Sequence, residues 1–104
     1  MGDEFEGDLE FEWNKWNVDK NWSKHKVSYK EAEEVFFDEY SFTSRDKNHS
    51  KLESRYQVLG QTKNKRYLTV IFTYRSGKIR VVSARPMNRR ERTEYEKEKI
   101  VTNS

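Results

Sequence analysis

Three consecutive segments in the second half of the chain constrain the fold most: Arg55 to Gln61, Tyr67 to Tyr74 and Lys78 to Arg85. Each is enriched in β-branched or aromatic residues, which are typical of strands. The linkers between them are short, and short linkers join antiparallel neighbours because a parallel connection needs about a dozen residues or more. The sequence therefore predicts an antiparallel meander that ends at Pro86, whose nitrogen cannot donate to a ladder.

A strand and two helices are predicted before the meander. The segment 9–13 alternates apolar and acidic residues, which indicates a half-buried strand with its apolar side chains on the inner face. Asn14 can cap a helix over about 15–24. Ser28, with a glutamate three residues later, has capping-box spacing and opens a second helix over about 29–37.

Two further elements complete the predicted order. A short strand over 40–44 precedes a polar turn around 46–48. Asn88 and Glu91 repeat the capping-box spacing and open a last helix over about 89–99. The resulting order is β-α-α-β-β-β-β-α, and helices beside an antiparallel sheet make an α+β fold.

The charge of the chain is distributed unevenly. The first 12 residues contain no lysine or arginine, so all 21 basic residues lie in the remainder. We interpret residues 1–8 as a flexible acidic arm and residues 9–104 as a single domain. A strongly basic body favours a polyanionic partner such as RNA or DNA, although a net charge of this size also suits plain solubility.

The residue types also argue against several classes of protein. The chain has no cysteine, which excludes disulfides and thiolate chemistry and suits a reducing cytoplasm. No apolar run approaches the roughly 18 residues of a membrane span. The two histidines lie far apart and no glycine-rich phosphate loop follows a strand, so we expect neither a metal nor another cofactor.

Six arginines in the last third of the chain are the main functional candidates. They are concentrated on one predicted strand, the turn before it and the start of the last helix: Arg75, Arg80, Arg85, Arg89, Arg90 and Arg92. Guanidinium groups bind phosphate in a planar, bidentate geometry that lysine cannot reproduce. Arg89 and Arg90 also lie at a helix N-terminus, where a bound anion would offset their unfavourable charge. The alternative for the helix is a solvated surface with the ion pairs Arg90–Glu94 and Arg92–Glu96.

Two smaller groups are also candidates. Glu53 and Arg55 are two residues apart, so on a strand both project from one face. Such a pair suits a structural salt bridge, or a base beside a phosphate-binding cation. Lys24, His25 and Lys26 lie in the turn between the first two helices, where the histidine is either a solvated loop residue or a base.

With these residues assembled, the chain resembles the BrnT toxin family over about residues 9–98. The resemblance is carried by an opening motif, a mid-chain strand and a closing strand pair with its helix: Phe11-Glu12-Trp13-Asn14 and Lys24-His25-Lys26-Val27-Ser28-Tyr29, then Glu53-Ser54-Arg55-Tyr56, then Val70 to Arg75, Ile79 to Arg85 and Arg89-Arg90-Glu91-Arg92. Lys26 stands where the family usually has a glycine, at a turn that favours a left-handed backbone.

The resemblance implies a RelE-like α+β fold and RNA cleavage that inhibits translation. It also implies neutralisation by a BrnA-type antitoxin, with DNA contacted only through the antitoxin complex. Metal-free cleavage needs a base for the 2′-hydroxyl, positive charge at the phosphoryl group and an acid for the leaving oxygen. For the charge we choose Arg80 and Arg85, with Arg55 and Arg75 secondary, and for base or acid His25 or Glu53. The candidates for RNA binding are Lys24, Lys26, Arg89, Arg90 and Arg92.

Two other functions fit the same residues. The first is a non-catalytic RNA- or DNA-binding module that uses these arginines for phosphate contact and acts only within a protein complex. The second is a domain that binds protein alone. Cleavage of RNA separates the enzyme from the binding module, and RNA binding separates both from the protein-interaction domain.

Overall fold

The computed structural model describes residues 9–46 and 54–103, which form a five-stranded sheet and three helices. The elements are β1 Glu10–Glu12, α1 Lys15–His25, α2 Tyr29–Phe36, β2 Phe42–Asp46, β3 Arg55–Gln61, β4 Tyr67–Arg75, β5 Lys78–Pro86 and α3 Arg89–Asn103. The α+β class and the order of the elements are confirmed, although β2 begins two residues later than predicted and α3 is longer. The acidic arm of residues 1–8 and Glu53 lie outside the described residues.

The strands lie in the order β1-β5-β4-β3-β2. The predicted antiparallel meander is confirmed for β2 to β5. The prediction of a wholly antiparallel sheet is wrong, because β1 pairs with β5 in the parallel direction and the sheet is mixed. Linker length constrains only strands that follow one another, whereas β1 pairs with the last strand of the chain, so no local signal indicates its direction.

The local signals at the ends of the elements are confirmed. Asn14 caps α1 by accepting a backbone N–H at 2.8 Å, and Ser28 and Glu31 form a reciprocal capping box at the start of α2. Ser76 and Gly77 join β4 to β5 with φ angles of 54° and 78°, the two left-handed residues that a tight type I′ hairpin requires. No helix in the described ranges is long and apolar enough to span a membrane.

Helix α2 packs on one side of the sheet, which we call the covered face, and buries its apolar side chains, while α1 packs along β5. The Phe36 ring of α2 lies 4.9 Å from Phe72 of β4 and 5.2 Å from Phe11 of β1, edge to face in both pairs. Leu9 and Trp13 also pack against this core, so the predicted inner face of the first strand is confirmed.

Gly60 allows α2 to approach the backbone of β3 closely. A Cβ atom at this position would lie 2.9 Å from the Val35 Cγ1 atom and 3.0 Å from the Val35 carbonyl oxygen. Only glycine fits so close a contact without displacing the helix.

Helix α1 covers the part of the β5 edge that β1 does not reach. Asn17 Nδ2 donates to the Val81 carbonyl at 3.0 Å. The Ala84 N–H donates to Asn21 Oδ1 at 3.2 Å. Since β1 pairs only with residues 78–80, these side chains satisfy backbone groups that would otherwise form an open sheet edge. The face of the sheet opposite α2 is left for α3 and solvent.

Candidate functional site

The sheet surface opposite α2 carries polar and charged side chains. Strand alternation places there a set of residues from the three central strands that we call the open face: Arg55, Gln57, Thr69, Ile71, Thr73, Arg80 and Arg85. Arg80 and Arg85 are an odd number of residues apart, so a regular strand would direct them to opposite faces. Ile71 pairs with Ser83 whereas Phe72 pairs with Val81, which leaves Val82 as an extra residue. This bulge brings both arginines to the same face.

One end of the open face is covered by α3, through the carboxylate of Glu91. It accepts hydrogen bonds from Arg85 Nη1 at 2.7 Å and Nη2 at 2.8 Å, and from Thr69 Oγ1 at 2.9 Å. Glu91 also accepts from the Asn88 N–H at 2.9 Å, and its own N–H donates to Asn88 Oδ1 at 2.8 Å. The predicted capping box of this helix is therefore confirmed, and its glutamate also joins the helix to the sheet.

The pair of Glu91 and Arg85 is ionised. Burial raises the pKa of the Glu91 carboxyl, but the hydrogen bonds from Arg85, Asn88 and Thr69 outweigh burial and hold this pKa below its ordinary value. The same hydrogen bonding raises the pKa of the Arg85 guanidinium against the opposing effect of burial. Arg85 is therefore a fixed positive charge: Nη1 and Nη2 both donate to Glu91, and Nη1 also donates to the Pro86 carbonyl at 3.3 Å.

Tyr95 is the second anchor of α3. Its side chain is fully buried, and its hydroxyl donates to Asp38 Oδ2 at 2.6 Å. The same carboxylate oxygen accepts the Gln61 N–H at 2.9 Å. Burial and the hydrogen bond to Asp38 both raise the pKa of Tyr95, so its hydroxyl stays protonated. These contacts hold α3 over one end of the open face only.

A groove of about 750 Å³ lies where the open face is not covered by α3, and we call it the arginine groove. It combines four arginines and three carboxylates with polar and apolar side chains: Arg45, Arg55, Arg85 and Arg90; Asp46, Glu91 and Glu94; Ser44, Gln57, Ile71, Val82, Ser83 and Asn88. This volume lies within the roughly 300–1,000 Å³ of ordinary ligand pockets. The size and the guanidinium groups suit a nucleotide with its phosphate.

The structure brings some of the predicted catalytic arginines together. Two of them line the arginine groove: Arg55 and Arg85. Arg80 lies on the same face beyond the groove, with its Nε atom 3.8 Å from Glu12 Oε1. Arg75 is exposed at the end of β4, on the same face by register. All four lie on one surface, although only the first two share the groove.

The three arginines of α3 project to different sides. Arg90 lines the groove, and its Nε atom lies 3.6 Å from Glu94 Oε1, as the ion-pair alternative predicts. The guanidinium of Arg92 instead lies 4.0 Å from the centre of the Tyr67 ring, while Glu96 accepts the Tyr67 hydroxyl at 2.7 Å. Two of the helix arginines line a separate shallow depression: Arg89 and Arg92.

The segment Lys24, His25 and Lys26 lies at the corner between α1 and α2, and none of its residues lines the arginine groove. Arg66 Nη1 donates to the Lys26 carbonyl at 2.6 Å, and its Nη2 donates to the His25 carbonyl at 2.8 Å. Lys26 adopts a left-handed φ of 54°, the conformation expected for the family's glycine. The structure therefore separates His25 from the arginines with which the sequence associated it.

Three residues of interest are not assigned to the site by the sequence. Two of them line the arginine groove: Arg45, and Glu94, which is expected only as the ion-pair partner of Arg90. Thr73 is only 3% exposed, and its Oγ1 has no hydrogen-bond partner among the described residues. One signal was available for Thr73: Thr69 and Thr73 are four residues apart in an apolar strand, so they share a face.

Known proteins match this chain in family and in fold. A family model described as the ribonuclease toxin BrnT of type II toxin-antitoxin systems matches residues 13–91. The crystal structure of the Brucella abortus ribonuclease toxin BrnT is similar, with a TM-score of 0.59 and 16% sequence identity, and the match covers 79% of this chain and 100% of that one. At this identity the likeness shows the fold alone. No curated protein matches the sequence significantly.

Proposed function

We propose a function from one premise: this chain belongs to the BrnT family of ribonuclease toxins of type II toxin-antitoxin systems, since the family model covers residues 13–91. We propose that it cleaves RNA in the cytoplasm without a metal ion and so inhibits translation. A BrnA-type antitoxin neutralises it, and DNA is contacted only through that complex. In this proposal the mixed sheet with its helices is a variant of the RelE-like fold.

The observation that most supports RNA cleavage is the convergence of arginines from four elements on one groove. Arg45 comes from β2, Arg55 from β3, Arg85 from β5 and Arg90 from α3. Phosphate accepts the parallel N–H groups of guanidinium, and positive charge stabilises the pentavalent phosphoryl group as it forms. In the free protein Arg90 faces Glu94 across an exposed 3.6 Å contact, and RNA binding exchanges that carboxylate for phosphate while Arg85 stays bound to Glu91.

Arg80 and Arg85 have different roles in this proposal. Glu91 holds Arg85 through two N–H groups, so Arg85 supplies charge from a fixed position. Among the described residues, Arg80 has one ionic contact, at 3.8 Å from Glu12, and its side chain is 43% exposed. A long, exposed ion pair contributes little to stability, which leaves Arg80 available to follow the phosphate through the reaction.

We assign the general base to a carboxylate rather than to His25. Glu91 accepts four hydrogen bonds that stabilise its ionised form and lower its pKa, which makes it a weak base. Glu94 lies in the groove wall, and its ionic contact within the described ranges is a long one, 3.6 Å from Arg90. Glu53 immediately precedes the Ser54-Arg55 start of β3 and is the second candidate. A base of this kind typically contributes roughly 100- to 10,000-fold to the rate.

The test is RNA cleavage in EDTA by the wild type, Arg80→Ala and Arg85→Ala. The matched control is Lys63→Ala, which removes one positive charge from the exposed linker between β3 and β4, outside the arginine groove. We expect cleavage by the wild type and the control, with both arginine variants slower by roughly 100-fold or more. Salt-sensitive RNA binding without cleavage would instead indicate the non-catalytic module, and neither activity would indicate a protein-interaction domain.

A further inference from the structure

Thr73 of β4 presents an unusual feature, a buried hydroxyl without a partner. The residue is 3% exposed, and its Oγ1 makes no hydrogen bond within the described part of the chain. Burying an unpaired hydroxyl is destabilising. Such groups are rare in native proteins, and each one calls for a specific explanation.

The neighbours of Thr73 form a row of charges across all five strands. The register aligns Thr73 with Arg55 on β3 and with Arg80 on β5. It continues the row to Asp46 on β2 and to Glu12 on β1. Side chains opposite one another on adjacent strands are separated by about 5 Å at Cβ. The hydroxyl is thus at the centre of the row, between two arginines, with a carboxylate at each outer end.

A second threonine on the same strand provides the comparison. Thr69 is also buried and lies on the same face, four residues before Thr73. Its hydroxyl donates to Glu91 Oε1 at 2.9 Å, in an arrangement where Arg85 binds the same carboxylate. At Thr69 the protein itself supplies the anion that a hydroxyl and an arginine share. At Thr73 the hydroxyl lies between two arginines, and a bound anion would give it the acceptor that Glu91 gives to Thr69.

We propose that Arg55, Thr73 and Arg80 form a phosphate subsite for the RNA backbone, in which Thr73 Oγ1 donates to a non-bridging phosphate oxygen. This inference depends on the proposed function, because it assigns a residue to the same RNA-binding face. Phosphate oxygens only accept hydrogen bonds, so they complement a hydroxyl and two guanidinium groups. The hydroxyl is covered in the free protein, and movement of the long arginine side chains toward the phosphate exposes it.

The test compares Thr73→Val with Thr73→Ser, using Thr69→Val as the matched control. Valine has the shape of threonine without the hydroxyl, whereas serine retains the hydroxyl. Two activities are measured in EDTA: affinity for a 2′-O-methyl oligoribonucleotide, which cannot be cleaved, and cleavage of the matching RNA. The melting temperature of each variant reports folding.

We expect Thr73→Val to weaken binding and to slow cleavage by roughly 10-fold or more, the usual effect of losing a hydrogen bond to a charged group. Its melting temperature should equal or exceed that of the wild type, because an unsatisfied hydroxyl is removed. Thr73→Ser should stay within about threefold of the wild type in both activities. Thr69→Val should melt at a lower temperature, since Glu91 loses a partner.

Three results would overturn the inference. In the first, Thr73→Val binds and cleaves like the wild type, which leaves the proposed function intact. In the second, its activity falls together with its melting temperature, or Thr73→Ser loses as much activity, so that the hydroxyl acts in packing. In the third, the wild type neither binds nor cleaves RNA, and the proposed function fails too. If the wild type binds RNA without cleaving it, the RNA affinities of the Thr73 variants alone test the subsite.

Discussion

The two faces of the sheet are made by the same strands and have opposite chemistry. On the covered face, Phe72 is fully packed between Phe36 and Tyr56. On the open face, the next residue of the same strand is Thr73, with a hydroxyl that nothing in the described chain satisfies. On the helix side, the buried Asn21 also leaves its Nδ2 atom without a partner among the described residues. Thr73 differs because the register places it between two arginines, so the open face is where an anionic ligand is expected.

Each face also has an arginine bound to a capping-box glutamate, and the two pairs differ in what else they contact. On the covered side, Arg66 binds Glu31 and also donates to two carbonyls at the α1–α2 corner. On the open side, Arg85 binds Glu91 at the wall of the arginine groove. Arg66 thus has two close carbonyl acceptors besides its glutamate, whereas Arg85 has one more distant carbonyl, that of Pro86 at 3.3 Å, and faces the arginine groove.

The largest expected difference between the faces is in the free energy of unfolding. Phe72→Ala removes a buried ring and should destabilise the protein by about 3–5 kcal/mol. Arg80→Ala removes a half-exposed side chain with one long ion pair and should cost less than about 1 kcal/mol. Urea denaturation of the two variants measures both values, and similar losses would contradict the division between the faces.

The next largest expected effect is the difference in stability loss when each capping-box glutamate is replaced by glutamine. Glutamine retains the capping geometry, so the main effect of Glu91→Gln is to leave Arg85 without its counter-charge. The free energy of unfolding should fall by about 2 kcal/mol. Glu31→Gln should cost less, about 1 kcal/mol, because Arg66 keeps its carbonyl acceptors. The midpoints of urea denaturation give the comparison, and the reverse order would show that the covered-side pair is the stronger one.

Protonation of Glu31 and of Glu91 is expected to destabilise the protein in acid. Burial raises the pKa of Glu31, as it does for Glu91, but in both cases hydrogen bonds outweigh burial and the pKa is below its ordinary value of 4.5. A depressed folded-state pKa gives stability that is present above about 4.5 and is lost as the pH falls through the folded value. The melting temperature should therefore fall more steeply below pH 4.5 in the wild type than in Glu91→Gln. Glu39→Gln, which changes an exposed carboxylate, is the control, and equal slopes in all three proteins would exclude this linkage.

The smallest effect concerns a linker away from the open face. Lys65 has a left-handed φ of 67°, which is unfavourable for any residue with a Cβ. Lys65→Gly should therefore stabilise the protein by about 0.5 kcal/mol. RNA cleavage should not change, because Lys65 does not line the arginine groove. Calorimetry and the cleavage assay test the two statements, and slower cleavage would show that the RNA site extends beyond the open face.

The sequence predicted what local chemistry determines. The caps at Asn14, Ser28 and Asn88 and the order of strands and helices needed only short-range spacing, and all are confirmed. The parallel pairing of β1 and the extra residue at Val82 depend on which strand lies alongside, so neither is visible in the strand's own sequence. This bulge decides the relative position of Arg80 and Arg85.

The candidate site was predictable only in its residue types. The residue type predicts that arginines near the end of the chain bind phosphate, and the structure places two of them, Arg85 and Arg90, in one groove with Arg55. Its spacing predicts Glu91 as a capping residue. Its hydrogen bonds with Arg85 and Thr69 join three elements, and no short-range sequence pattern indicates them. His25 has the chemistry of a base, and only the fold shows that it lies at a different corner.

The central claim is that the open face, and not the α1–α2 corner, binds RNA. The most direct measurement is nuclear magnetic resonance of isotope-labelled protein during titration with the 2′-O-methyl oligoribonucleotide. The account predicts that the amide signals of Gln57, Ile71 and Ser83 shift as RNA is added while those of 24–26 stay in place. Shifts at residues 24–26 with an unchanged open face would contradict it.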